Sequence, residues 1–292
     1  MTFLNNVITG VSLGSIYAII ALGYTMVYGI AKMLNFAHGD IIMVGGYISY
    51  CAMNYLGLPS VVAVLLAMVV CTILGVVIEG LAYKPLRAAP SLAVLITAIG
   101  VSYFLQNAAQ LIWSAAPKVY SPVVTGSLSL FGGQLSISYV SLLTVVTCLV
   151  IMVGLTMFTS MTRMGKAMRA CSEDKGAAQL MGINVDNIIS MIFLIGPALG
   201  GAAGVMMGLY YGQITYDMGF SFGLKAFTAA IMGGIGNIPG AMVGGILLGV
   251  LEAMGAAYVS IAWKDAIAFL VLILILIFRP TGLLGERVAE KI

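Results

Sequence analysis

From Ser60 to Ala82 the chain carries a single charged side chain, Glu79, and the same pattern recurs along nearly its whole length. Crossing the hydrocarbon of a bilayer takes about 20 mostly apolar residues. Stretches that qualify cover roughly 5–31, 41–56, 60–82, 91–114, 139–160, 188–212, 224–258 and 264–278. The longest polar pieces between them, 115–138 and 161–187, are too short to form a soluble domain. The expected fold is an all-α polytopic transmembrane bundle of about eight segments, a single domain over 1–292. Some of its helices are expected to be broken by Gly and Pro or to be re-entrant.

Composition removes the alternatives. Only 8% of residues are charged and 61% are hydrophobic, against about 25% charged in soluble domains. A net charge of +3 from scattered basic residues does not suit nucleic acid. Cys51, Cys71, Cys148 and Cys171 form no CxxC pair, and His38 is the one histidine, so neither a disulfide framework nor a metal site is expected. No HExxH or GxSxG motif occurs, and a catalytic triad would have only His38 to use. Gly165-Lys166 is not part of a phosphate-binding loop, because Ser160 and Met161 stand where that loop needs glycine and Ala167 where it needs Ser or Thr. No catalytic residue, metal or cofactor is therefore expected in this chain. Energy for any transport must come from an ion gradient or another subunit. The first basic residue is Lys32, so the first apolar segment is expected to be retained rather than cleaved.

Lys and Arg gather in short cytoplasmic loops. Lys84 and Arg87, then Arg163, Lys166, Arg169 and Lys175, then Arg279, Arg287 and Lys291 put 83–90, 161–187 and the tail in the cytoplasm. The connections at 115–138 and 213–223 share one basic residue, Lys118. With 161–187 and the tail both inside, and 188–212 and 264–278 supplying two crossings, 224–258 must make no net crossing. Its centre, Met232 to Gly240, is rich in the residues that break helices, so a re-entrant pair of short helices is expected; one kinked span is the alternative. A second interruption lies at 32–40. Paired interruptions of this kind border the substrate route of many transporters. The residues expected there are Asn35, His38 and Gly39, and Gly233, Gly234, Asn237, Pro239 and Gly240. Among the few charged groups, Glu79 reads as interfacial beside Lys84 and Arg87, and His38 and Asp40 read as helix-end caps or a proton relay. Glycines at 196, 200, 204, 208 and 212, and at 10 and 14, suit close helix packing in lipid.

In the loop 161–187, Glu173 and Asp174 are expected to open a short helix that Gly182 ends. Arg169 and Glu173 are spaced for a helical ion pair. Ala177, Ala178, Met181 and Ile183 are expected to form its apolar contact surface for a partner.

Four stretches resemble one family, the permease subunits of ABC importers for branched-chain amino acids. Asn35-Phe36-Ala37-His38-Gly39 with Gly45-Gly46-Tyr47 is similar to the signature after its first span. Met168–Val185 is similar to its ATPase-docking loop, Gly233–Ala241 with Gly244-Gly245 to its glycine-rich motif, and Arg279–Gly285 to its C-terminal signature. Asp40 stands where many members carry another residue. The resemblance is strongest to the shorter, H-type permeases. It implies a bacterial cytoplasmic-membrane complex with a second permease, two cytoplasmic ATP-binding subunits and an extracytoplasmic solute-binding protein. The substrate would be leucine, isoleucine, valine or an analogue. ATP would be hydrolysed in the other subunits, and residues 168–185 would couple that hydrolysis to movement. Urea and short-amide importers share these motifs, and an ion-coupled carrier acting alone is the reading from a different class.

Overall fold

A computed structural model describes residues 2–33, 35–87, 89–120, 123–130 and 135–285. The basic tail residues Arg287 and Lys291 lie outside them. Helices dominate: α1 Thr2–Ala31, α2 Ala37–Asn54, α3 Ser60–Ile78, α4 Ser91–Trp113, α5 Tyr139–Met161, α6 Arg163–Glu173, α7 Lys175–Leu180, α8 Val185–Tyr211, α9 Met218–Gly233, α10 Ile238–Tyr258 and α11 Lys264–Phe278. A π turn, Glu79–Tyr83, and a 3₁₀ turn, Lys84–Leu86, extend α3. Two small antiparallel ribbons pair β1 Lys118–Val119 with β4 Gln213–Ile214, and β2 Ser127–Leu130 with β3 Leu135–Ser138.

Seven of the described helical stretches are long and apolar enough to cross a membrane. α9, with 16 residues, is shorter, and α2 is not among the seven. The expected interruption of 224–258 is present at 234–237, but its two arms are unequal. α10 has 21 residues, about 32 Å at 1.5 Å per residue, which matches a full crossing rather than a half-helix. A broken pair of helices, not two short re-entrant ones, is what forms. The parity of 224–258 therefore turns on α9, whose 16 residues fall short of a full crossing.

The chain divides into two compact units. One comprises Met1–Thr25, Gly126–Thr156 and Lys225–Ile292; the other comprises Met26–Thr125 and Met157–Leu224. In the second, α2, α3 and α8 form the core. Some 72% of the most apolar window of α8 is buried, and its glycines explain how. A side-chain carbon on Gly201 would come within 3.0 Å of Met68 Cα, and one on Gly45 within 2.7 Å of Gly201 Cα. Gly75 of α3 faces the ring of Pro197, so the one proline inside α8 packs where the opposing helix has no side chain. In lipid, backbone contact of this kind supplies the van der Waals attraction that holds helices together. The first unit uses the same device at α1 and α10: a carbon on Gly14 would lie 2.6 Å from Ile246 Cα, and one on Gly245 2.5 Å from Ala18.

Candidate substrate route and coupling surface

From Asn35 to Asp40 the first interruption is largely buried within the second unit. Asn35 accepts a hydrogen bond on Oδ1 from Tyr83 Oη at 2.8 Å, and Tyr83 sits on the π turn after α3. π turns recur at functional positions because they re-aim side chains out of the α-helical repeat. His38 lies fully inside, with its ring near Gly200 of α8. Gly39 is pressed against Gly219 of α9, whose own added carbon would stand 2.7 Å from Gly39 O. Neither His38 nor Asp40 caps α2: the N-cap is Phe36, which makes no side-chain cap bond, and both residues lie in the first turn, pointing into the protein. Asp40 accepts from Ser102 Oγ of α4, and Gln106 Nε2 donates to Ser102 Oγ at 3.1 Å. The capping expectation therefore gives way to a buried polar chain between α2 and α4, and the acidic group still benefits from the helix N-terminus.

The second interruption lies in the first unit and is built as a turn. Gly234 and Gly236 have φ of +105° and +97°, a region open to glycine. Asn237 is the N-cap of α10 and accepts from Gly240 N at 3.0 Å. Pro239 sits in the first turn of α10, where its missing N–H costs nothing. The C-terminal segment then closes the turn: Leu283 N donates to Met232 O at 2.9 Å and Leu284 N to Gly233 O at 3.0 Å. Two of the four resembling stretches, distant in sequence, thus meet. Gly233, Gly234, Asn237, Pro239 and Gly240 all have a use within this turn. A side-chain carbon on Gly240 would lie 2.5 Å from Gly233 O, so enlarging it would disturb the hairpin itself.

The loop 161–187 forms two helices rather than one. Glu173 closes α6, while Asp174 is the N-cap of α7 and accepts from Gly176 N at 2.8 Å and Ala177 N at 3.0 Å. Gly182, with φ +84°, ends α7 as expected, and Ile183 N donates back to Ala178 O at 3.0 Å. Among the described residues Arg169 does not pair with Glu173; its Nη2 donates to Ser160 O at 3.3 Å. The apolar surface is also redistributed. Ala178 is only 4% exposed and faces its own chain, whereas Met181 is 83% exposed, and Leu180, which periodicity did not single out, is 90% exposed. Ala177 is exposed beside them and Ile183 is half-buried.

Tertiary packing builds two charge clusters. Arg87 bridges Glu79 and Asp186, so Glu79 is a buried ion-pair partner, tied to Arg87 rather than Lys84. In the first unit, Lys225 Nζ lies 2.8 Å from Glu252 and 2.7 Å from Asp265; Lys264 also reaches Glu252 at 3.2 Å, and Tyr17 Oη donates to it at 2.7 Å. Two charges of each sign within 225–265 were the available signal.

Membrane-length helices, two interruptions in the helical backbone, one of them largely buried, and an apolar-tipped helix between two spans define a multi-pass helical membrane permease. Comparison with known proteins narrows the class: the family described as branched-chain amino acid transport system, permease component, matches residues 6–276, and the chain belongs to it. It is 47% identical over 99% of its length to the high-affinity branched-chain amino acid transport system permease protein BraD of Pseudomonas aeruginosa, covering 98% of that protein. It is 44% identical, with the same coverage of both chains, to the permease LivH of Escherichia coli K12. The probable branched-chain amino acid permease LivH of Methanocaldococcus jannaschii is 27% identical over 93% of this chain and 89% of its own. No solved structure matches the chain.

Proposed function

We propose that this chain is one of two permease subunits of an ATP-driven importer that carries leucine, isoleucine, valine or a close analogue across the cytoplasmic membrane. Two cytoplasmic ATP-binding subunits and an extracytoplasmic solute-binding protein complete the complex. The observation that carries this reading is end-to-end similarity at 44–47% identity to permeases named for branched-chain amino acids. In this reading α7 couples the ATPases to the spans. Leu180 and Met181 offer the ATPase an apolar contact outside the spans, and Ala178 and Ile183 fasten α7 to the start of α8. Because α8 packs on α2 and α3 through backbone contacts, a push on α7 moves the three helices together instead of being absorbed by side chains. Asn35, His38 and Gly39 ride on that core and border the proposed route, while the hairpin at 233–240 holds α9 against α10.

The test is uptake of labelled leucine into proteoliposomes holding the permease, its ATPases and the binding protein. Uptake should require internal ATP and survive an uncoupler. Uptake that ignores ATP and collapses with the uncoupler would establish a lone ion-coupled carrier. Uptake of urea or a short amide in place of leucine would reassign the substrate.

A further inference from the structure

A cavity of about 920 Å³ opens in the second unit where four membrane-length stretches end. Ala31 closes α1, Ser91 opens α4, Val185 opens α8, and Arg87 follows the turns after α3; all four line it. Helix ends of membrane-spanning segments stand at headgroup depth. The cavity walls hold three cations, Lys32, Arg87 and Lys175, and one carboxylate, Asp186. Arg87 is already satisfied by Glu79 and Asp186. Lys175 donates to Ala31 O at 2.6 Å, and among the described residues neither it nor Lys32 has a carboxylate partner. Lys32 is also held at φ +57°, a left-handed conformation that usually goes to glycine or asparagine after a helix. On the α4 side, Ser91 and Val94 face the cavity while Leu92 and Ile96, 63% and 62% exposed, face outward from the same turns. That wall therefore adjoins an apolar surface suited to acyl chains.

We propose that this cavity binds the phosphate of an anionic phospholipid, held between the ammonium groups of Lys32 and Lys175. Gln179 and Asn184 at its rim supply neutral donors. The proposal rests on the chain spanning a membrane and not on which solute it carries. Basic pockets between helix ends are suited to such headgroups, since the phosphate brings the missing charge and the tails stay in lipid. Burial, with the charges of Lys32 and Arg87 nearby, holds the Lys175 ammonium below the usual lysine range, with Cys171 on α6 acting in the opposite sense. A bound phosphate would relieve that.

The experiment follows acylation of Lys175 by a water-soluble amine reagent, read by peptide mass spectrometry, in the assembled complex in nanodiscs. Discs of phosphatidylcholine are compared with discs that also contain phosphatidylglycerol. The expected result is labelling slowed on the order of tenfold by phosphatidylglycerol, with no such protection of Lys84, an exposed lysine outside the cavity. Lys32→Ala should lose most of that protection. Equal labelling of Lys175 in the two discs overturns the proposal, and so does equal protection of Lys84, which would reflect surface charge alone. In phosphatidylcholine discs, protection by inorganic phosphate alone would reassign the site to a soluble anion. Protection by leucine would make the cavity a vestibule for the substrate carboxylate, and protection that follows the ATPase subunits regardless of lipid would make it a protein contact. Each of these three results overturns the lipid assignment.

Discussion

The side-chain amide of Asn237 donates to the carbonyl of Leu284 at 2.9 Å while its oxygen caps α10 at Gly240. One residue thus ties the glycine-rich turn to the C-terminal segment. Asn237→Ala loses both bonds and should cost about 1–2 kcal/mol. Asn237→Asp keeps the cap but presents a carboxylate to a carbonyl. Hydrogen exchange separates the two: the amides of Leu283 and Leu284 should exchange faster in both variants, and that of Gly240 only in the alanine variant. Unchanged exchange at Leu283 and Leu284 would mean that the segment is held without Asn237.

Leu180 and Met181 should be the docking residues, and Ala178 a packing residue. Leu180→Asp leaves the chain's own packing intact, because that side chain is 90% exposed. The variant should be inserted and thermally stable, lose its ATPase subunits on purification, and fail to transport. Ala178→Asp buries a charge at a position only 4% exposed, where desolvation costs several kcal/mol unless a partner is present. It should lower the stability of the isolated permease. Full ATPase retention by Leu180→Asp would remove α7 from the interface.

The membrane architecture was legible because apolar runs of spanning length leave so little else to explain. The break at 234–237 was legible too, since glycine and proline act locally and α10 begins where Asn237 and Pro239 place it. What sequence alone could not give is how a short helix is rotated. Six residues of α7 have no period to read, so nothing in the sequence says that Ala178 faces inward and Leu180 outward. Partner choice was equally hidden. Arg169 sits four residues before Glu173, yet it bonds to Ser160 O because α6 doubles back on the end of α5. Lys225 and Glu252 sit 27 positions apart, and only tertiary packing brings them together. The residues proposed for the substrate route share no chemical signature, and Pro239 is exposed while His38 is buried, so that proposal rests on the interruptions and the resemblance.

Lys175 should titrate below an ordinary lysine, whose pKa is about 10.4. The groups acting on it are Lys32 at the end of α1, Arg87 after α3 and Cys171 on α6, with burial the largest influence. Because the folded state disfavours the ammonium, the penalty is fully present below the folded pKa and disappears as pH rises towards the unfolded value. In phosphatidylcholine discs the pH midpoint of Lys175 acylation should fall below that of a model lysine peptide. Lys32→Ala should move it upward by removing a like charge. A midpoint matching the peptide, unmoved by Lys32→Ala, would show that neither burial nor Lys32 perturbs the amine.

The cluster of Lys225, Glu252, Lys264 and Asp265 should behave as one balanced unit. Glu252 is only 2% exposed and meets two ammonium groups and the Tyr17 hydroxyl, while Lys225 meets two carboxylates. Neutralising one partner of a buried pair leaves an uncompensated charge and typically costs about 3–5 kcal/mol. Here the remaining partners soften that, because Lys264 can still face Glu252 and Asp265 can still face Lys225. Glu252→Gln, which keeps a hydrogen-bond acceptor for Tyr17, and Lys225→Met should each cost on the order of 3 kcal/mol in unfolding titrations with SDS in mixed micelles. The double variant restores neutrality with Lys264 and Asp265 left as a pair. Its cost should fall short of the sum of the singles by about 1 kcal/mol or more, the mark of residues that interact directly. Strict additivity would mean that the two side chains contribute independently and that α9, α10 and α11 are held by packing alone.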